Sequence, residues 1–300
     1  MKLLFFIDPN WAFGTIFTPL TKHLTARGWQ ADVLSWYVGY RLDEMQMMAS
    51  NYDRIVTVAS GLKVLLHDYQ IPPSKIIVSN YSDYDITKAQ QEGLPPVFNE
   101  VAGYFVPSHN LLSISLAMGI TRIPQVLPIG LEMKRYEGVV PQSLKVVGYG
   151  TAYARKNHFG VEFKRGALAE KCAKAAGLEF KAATSYNYLA VPAYWQTVDC
   201  LLASALYETA PIPQLEAAAS GRLVLTSAVG NTAELACDDI CTILPSNEAD
   251  FEEVAVEMLR RLAMEGEWFQ KRCAKAREGV SRYDWANVIG QWMKFFQSCQ

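Results

Sequence analysis

The stretch Leu206–Gly221 reads Leu-Tyr-Glu-Thr-Ala-Pro-Ile-Pro-Gln-Leu-Glu-Ala-Ala-Ala-Ser-Gly, and it predicts how the C-terminal half of the chain folds. It comes directly after Val198–Ala203, an apolar run typical of a buried strand. Pro211 and Pro213 force a turn and suit the first turn of a helix, and Gly221 can end that helix. The stretch therefore predicts a strand, a loop and a helix in succession.

Two glutamates lie within this unit. Glu208 falls in the loop after the strand, and Glu216 falls in the first turns of the helix. In an open α/β sheet, ligands bind outside the carboxyl ends of the strands, where such loops lie. The start of the helix would favour an anion such as a diphosphate, and a nearby carboxylate can accept hydrogen bonds from ribose hydroxyls. The spacing also leaves open a helix cap or a pair of surface glutamates.

Short apolar runs alternate with helical stretches along the whole chain, which indicates parallel α/β sheets. Because 300 residues suit two domains, we expect two α/β domains, each with a parallel sheet. The predicted strands are Lys2–Ile7, Ala31–Trp36, Asp53–Val58, Lys75–Ser79, Gly103–Val106, Val126–Pro128, Leu144–Tyr149, Glu179–Ala182, Val198–Ala203, Leu223–Thr226 and Cys241–Leu244.

The domain boundaries follow from a polar stretch without clear periodicity, Glu132–Ser143, which we interpret as a linker. Residues 1–131 then form the first domain and residues 144–282 the second. A last helix over residues 283–300 carries an apolar stripe, which indicates packing either on its own domain or on the first domain. The residues of this stripe are Trp285, Ile289, Trp292 and Phe296.

The composition excludes several classes of protein. Half of the residues are hydrophobic and 19% are charged, which is typical of a globular chain. Lysine and arginine number 28 against 30 acidic residues, so the net charge of −2 gives no strong nucleic-acid signal. No apolar run reaches 18 residues, so we expect no transmembrane helix. Leu3–Ile7 is too short for the core of a signal peptide, which predicts a cytoplasmic protein and leaves peripheral membrane association open.

A basic cluster follows the predicted strand Leu144–Tyr149. Such a cluster could bind an anion such as a diphosphate, because arginine gives bidentate contacts to phosphate and lysine a point charge. A solvated basic loop is the alternative. The basic side chains are Arg155, Lys156, His158, Lys164 and Arg165.

The Glu208-x7-Glu216 pattern, with Ser227–Leu235 after it, resembles the retaining glycosyltransferases of the GT-B fold that carry the E-x7-E motif (family 4-like). Val126–Leu131 is similar to the segment at the family's domain junction, and Phe105–Ser108 is similar to the strand that precedes it. The resemblance runs in order from Phe105 to Trp285. It implies two Rossmann-like domains that face each other across a cleft, with the last helix crossing back to the first domain. It implies a glycosyltransferase that uses a nucleotide-diphospho-sugar as its donor substrate, with retention of configuration and with no metal or other cofactor.

The resemblance also implies roles for individual residues. Glu216 would contact the ribose and Glu208 the donor sugar or its reaction centre. The diphosphate would meet an arginine and a lysine, which the family spaces about five residues apart. Here Arg155 and Lys164 are nine apart, so either Lys164 or Arg165 could be the lysine's equivalent. The other donor-binding candidates are Thr209, Ala210, Tyr149 and Gly14.

Three candidates lie in the N-terminal half. Gly14 belongs to the predicted loop Asp8–Thr15, which is glycine-rich in the family and carries one glycine here. His109 is a candidate catalytic residue or a structural histidine. Asp83 could orient an acceptor hydroxyl. Asp83-Tyr84-Asp85 also matches D-x-D, which in the GT-A fold holds a divalent metal.

Two alternative functions stay open at this stage. One is a metal-dependent GT-A-type transferase that uses Asp83 and Asp85. The other is a non-catalytic nucleotide-sugar-binding subunit of a glycosyltransferase complex. The nucleotide base, the sugar, the acceptor and the oligomeric state are also left open by the sequence.

Overall fold

The computed structural model describes residues 1–10, 12–151, 153, 160, 162–184, 189–206 and 208–299, without the side chains of residues 12, 83 and 84. Two compact units are present. The first comprises Met1–Gly130 together with Trp285–Gln300, and the second comprises Leu131–Asp284. The stretch that we expected to be a linker lies within the second unit, where Met133–Tyr136 forms a 3-10 turn.

Every predicted strand corresponds to a strand of the structure, with ends that differ by at most two residues. In chain order, the strands are β1 (Lys2–Ile7), β2 (Gln30–Ser35), β3 (Arg54–Val58), β4 (Ile76–Ser79), β5 (Gly103–Val106), β6 (Gln125–Val126), β7 (Val146–Tyr149), β8 (Glu179–Ala182), β9 (Cys200–Ala203), β10 (Leu223–Ser227) and β11 (Thr242–Leu244).

Helices connect these strands, as parallel pairing requires. In chain order, they are α1 (Ala12–Thr25), α2 (Leu42–Ser50), α3 (Ala59–Lys63), α4 (Asp83–Gln91), α5 (Pro95–Phe98), α6 (His109–Ala117), α7 (Gly166–Ala175), α8 (Val191–Trp195), α9 (Ile212–Ala219), α10 (Thr232–Cys237), α11 (Glu248–Met264), α12 (Gly266–Val280) and α13 (Trp285–Ser298).

The first unit contains a parallel sheet with the strand order β2-β1-β3-β4-β5-β6. Its inner strands are buried on both faces, which is why β1 reads as a continuous apolar run. The edge strand β2 is largely exposed and shows no such run.

The last helix, α13, belongs to the first unit, as predicted. The four residues of its stripe are each no more than 2% exposed. The Trp292 indole N–H donates to the carbonyl of Pro128 at 3.0 Å, and its ring packs 5.0 Å from that of Phe105. The apolar periodicity of Trp285–Phe296 therefore reflects the burial of one face of α13 within the first unit.

The second unit contains a parallel sheet with the order β11-β10-β9-β7-β8. Because β8 and β9 lie on opposite sides of β7, the chain changes direction between β7 and β9. This topological switch point is where an open α/β sheet binds its ligands, outside the carboxyl ends of the strands.

Candidate active site

A small pocket lies at the switch point of the second sheet. It is formed by the residues that end β7 and β9, by the loop before α9 and by one residue after β10. Apolar groups predominate, with a carboxylate and an amide among them. The lining residues are Tyr149, Gly150, Thr151, Leu201, Ala203, Ser204, Ala205, Glu208, Pro211, Pro213, Gln214 and Val229.

Hydrogen bonds join the segment before α7 to the segment after β9. The Leu206 N–H donates to the Phe163 carbonyl at 2.7 Å, and the Ser204 hydroxyl donates to the Arg165 carbonyl at 2.7 Å. The guanidinium of Arg165 returns a bond from Nε to the Ser204 carbonyl at 2.5 Å. These bonds hold the residue between Phe163 and Arg165 beside the pocket.

That residue is Lys164, and its ammonium forms an ion pair with the Glu208 carboxylate. The side chain of Lys164 is 8% exposed and that of Glu208 is 22% exposed. The ammonium also lies 5.1 Å from the centre of the Phe163 ring. The Tyr149 hydroxyl donates to the Lys164 carbonyl, so Tyr149 fixes the backbone of the lysine. Two candidates far apart in the sequence are thus in direct contact.

The side chain of Arg165 binds backbone carbonyls around the site. It has a left-handed backbone conformation (φ 53°) immediately before α7. Besides its bond to Ser204, its guanidinium donates to the Ser246 carbonyl at 3.1 Å and lies 5.5 Å from the ring of Phe251. Burial lowers the pKa of Arg165. Of the two adjacent cations, Lys164 is therefore the one that meets Glu208.

Glu216 lies in α9 but does not line the pocket. It is 5% exposed, and its carboxylate accepts from the Tyr136 hydroxyl at 2.7 Å and from the Trp195 indole N–H at 3.4 Å. Burial raises the pKa of Glu216, and the two hydrogen bonds oppose that rise. A carboxylate has about four acceptor positions, so two are left for a ligand. Sequence reasoning did not identify Tyr136 or Trp195, because neither is near Glu216 along the chain.

The raised pKa of Glu216 predicts a pH dependence of stability. A free glutamate titrates at about 4.3. Above that pH the unfolded chain releases its proton while folded Glu216 still retains one, so folding loses stability until the pH passes the raised folded value. We expect the melting temperature of the wild type to fall relative to that of Glu216→Gln as the pH rises from about 4.3. If the melting temperatures of the two proteins changed with pH in parallel, the raised pKa of Glu216 would be contradicted.

The loop that carries Glu208 is packed closely against its neighbours. Thr209 and Ala210 are half-buried and connect Glu208 to the start of α9. A Cβ on Gly230 would lie 2.5 Å from the Thr209 carbonyl oxygen, and a Cβ on Gly150 would lie 2.8 Å from Pro213. Glycine at these two positions therefore allows the segment after β10 to approach the loop and the end of β7 to approach the start of α9.

The candidates of the N-terminal half lie in the first unit and not in this pocket. The predicted loop Asp8–Thr15 was too long, since α1 begins at Ala12 and Gly14 lies inside that helix. A Cβ on Gly14 would lie 1.9 Å from the Pro9 carbonyl oxygen, so this glycine serves a close backbone contact. His109 is the exposed first residue of α6. Arg155, Lys156 and His158 lie outside the described residues.

Asp83 and Asp85 begin α4, where the Ser82 hydroxyl accepts the Asp85 N–H at 3.0 Å. The D-x-D pattern thus coincides with the start of a capped helix. Among the described residues, no three His, Cys, Asp or Glu side chains cluster in a way that could hold a metal ion. In the same part of the chain, none of the helices combines the length and the apolar character that crossing a bilayer requires.

The whole chain shares its fold with glycosyltransferases of known structure. Sucrose-phosphate synthase from Thermosynechococcus elongatus matches with a TM-score of 0.73 at 13% identity, over 99% of this chain and 98% of that one. HepE from Anabaena, solved with UDP-glucose, matches with a TM-score of 0.71 at 12% identity, over 99% and 100%. WaaG, a glycosyltransferase of lipopolysaccharide biosynthesis, matches with a TM-score of 0.67 at 13% identity, over 97% and 98%. No curated protein sequence matches significantly.

These matches show the GT-B fold, which confirms the predicted fold class. A GT-A fold is thereby excluded. Residues 139–263 match the family model for group 1 glycosyl transferases, and this segment contains the whole pocket. The chain therefore carries a glycosyltransferase domain, and the expected class of enzyme is confirmed.

Proposed function

We propose that the protein transfers a sugar from a nucleotide-diphospho-sugar to an acceptor hydroxyl, with retention and without a bound metal. The observation that carries the proposal is the contact between Lys164 and Glu208 at the switch-point pocket. It joins a cation suited to the leaving diphosphate with a carboxylate suited to the sugar. The group 1 match and the UDP-glucose bound to HepE support the choice of donor.

Lys164 stabilises the leaving group in this proposal. When the bond from the anomeric carbon to the diphosphate breaks, negative charge builds on the diphosphate oxygens, and a preplaced ammonium lowers the barrier. The low exposure of Lys164 strengthens this interaction, since screening by water is weaker there. Glu208 holds the ammonium before the donor arrives, so the site needs little rearrangement.

The carboxylates orient the sugar and the nucleotide. Glu208, 22% exposed, accepts hydrogen bonds from hydroxyls of the sugar, and Thr209 and Ala210 shape the loop on which it lies. Glu216 uses its remaining acceptor positions for the ribose. Tyr149 acts indirectly through its hydrogen bond to the Lys164 carbonyl. In the first unit, Asp83 and His109 are proposed to orient the acceptor.

A thermal-shift panel tests the proposal. It compares UDP, GDP, ADP and CMP with their sugar conjugates, each in EDTA and in Mn²⁺. We expect one nucleoside diphosphate and its sugar to raise the melting temperature equally in both conditions. A ligand at a hundredfold excess over its Kd adds about 2.7 kcal/mol of stability. A shift that requires Mn²⁺ would contradict metal independence, and no shift with any nucleotide would contradict the donor assignment.

Turnover separates the transferase from the non-catalytic alternative. The donor identified by the panel is incubated with the protein and candidate acceptors, and nucleotide release is measured together with the anomeric configuration of the product by NMR. We expect release of the nucleotide and a product with the donor's configuration. A protein that binds the donor but neither transfers nor hydrolyses it would be a binding subunit.

A further inference from the structure

Gln214 is a buried polar residue of the pocket that makes none of the donor contacts proposed above. It is the third residue of α9, it is 1% exposed, and it is one of the residues that line the pocket. Its Nε2 donates to the Thr226 hydroxyl at 2.7 Å. Its Oε1 is buried and accepts no hydrogen bond from any described residue.

The orientation of the Gln214 amide follows from its neighbours. The Thr226 hydroxyl donates its proton to the carbonyl of Ser227 at 3.1 Å, so towards Gln214 it acts as an acceptor. The amide must therefore present its N–H₂ group to Thr226 and keep Oε1 on the other side. A flipped amide would place two acceptors against each other. The unpaired group is thus an acceptor that requires a donor.

The surroundings of Gln214 select the kind of group that can supply this donor. The start of α9 was expected from the sequence to favour a diphosphate, but Pro211 and Pro213 have no N–H, so it offers few of the backbone donors that bind phosphate. The pocket has a volume of about 20 Å³, and roughly 10–15 Å³ suffices for one water-sized group. A hydroxyl meets both requirements, because it donates a hydrogen bond and has the size of a water molecule.

We infer that Gln214 Oε1 accepts a hydrogen bond from a hydroxyl of the donor substrate and so makes Gln214 a specificity-determining residue. The inference rests on the proposed nucleotide-sugar function. The hydroxyl belongs to the ribose or to the transferred sugar. A buried acceptor left unpaired is costly, so a ligand that lacks this hydroxyl would be rejected more strongly than a simple loss of contact implies.

Glu216, two residues further along α9, differs from Gln214 because neither of its side-chain oxygens lacks a hydrogen bond. Each of its oxygens already accepts one hydrogen bond, from Tyr136 or from Trp195, and it does not line the pocket. Gln214 is therefore the side chain of α9 with an unused buried acceptor at the pocket.

The test replaces Gln214 by methionine, which has a similar shape and no amide. Thr226 keeps its own bond to Ser227, so we expect Gln214→Met to have a ligand-free melting temperature equal to or above that of the wild type. Calorimetry with UDP, GDP, ADP and their glucose conjugates is expected to show a Kd about tenfold higher for the variant, as for the loss of one buried hydrogen bond. Gln214→Leu repeats the test with a different shape.

The two ligand series identify the hydroxyl. If the variant binds the nucleoside diphosphate without its sugar more weakly, the hydroxyl belongs to the ribose. If the variant loses affinity only for the glucose conjugate, the hydroxyl belongs to the sugar. Unchanged affinity of Gln214→Met for ligands that the wild type binds would overturn the inference and leave the proposed function intact. Failure of the wild type to bind any of these ligands would overturn the proposed function itself.

Discussion

Replacement of Lys164 by methionine is expected to lower kcat by about 10²–10³-fold, the range seen when one preorganised electrostatic contact to a transition state is removed. The side chain keeps most of its length and loses the charge that faces the leaving diphosphate. Its removal also leaves the Glu208 carboxylate without its cation in a largely buried place. The measurement is the rate of nucleotide release from the donor identified by the panel.

Lys171→Met is the matched control. Lys171 lies on α7 and pairs with Glu252 at 2.7 Å, but its side chain is 64% exposed. An exposed ion pair contributes about 0–1 kcal/mol, so we expect neither activity nor stability to change measurably. The double variant Lys164→Met/Glu208→Gln should regain stability relative to Lys164→Met without regaining activity. A Lys164→Met protein with the same kcat as Lys171→Met would refute the role of Lys164.

The strands were predictable because a parallel sheet buries both faces of its inner strands. Lys2–Ile7 and Gly103–Val106 read as short apolar runs, and the structure has strands with those bounds. The apolar stripe of the last helix was equally visible, since one helical face repeats every three to four residues. The start of α1 was predicted less well, because the loop was expected to run to Thr15, whereas Gly14 lies inside the helix and its small size serves a contact with Pro9.

The pocket was predictable only in part, because its contacts join residues that are distant in sequence. The motif identified Glu208, and the basic cluster contained Lys164, but their direct contact depends on bonds between the segments around Phe163 and Leu206. Gln214 read as an ordinary helix residue. Its significance depends on which way Thr226 donates its proton, and no pattern along the chain encodes that.

Substitution of Gly230 by alanine should damage both stability and donor binding. Gly230 has a φ of 56°, which costs other residues about 1–2 kcal/mol. The added Cβ would lie 2.5 Å from the Thr209 carbonyl oxygen and 2.8 Å from that of Glu208. Because both contacts are with backbone, the loop itself must move, and such overpacking adds about 1–3 kcal/mol. We expect the melting temperature to fall by roughly 10 °C and the affinity for the donor to weaken, since Glu208 moves with the loop.

Gly177→Ala separates the cost of the backbone conformation from that of the contact. Gly177 follows α7 with a φ of 76°, and a Cβ there would meet nothing within 4 Å. This variant should lose about 1–2 kcal/mol from the left-handed conformation alone and bind the donor as the wild type does. Thermal denaturation and calorimetry of both variants measure the difference. If Gly230→Ala matched Gly177→Ala in both stability and affinity, the close packing of Gly230 against the loop would have no part in holding Glu208, and the position of that carboxylate would depend on its ion pair with Lys164 alone.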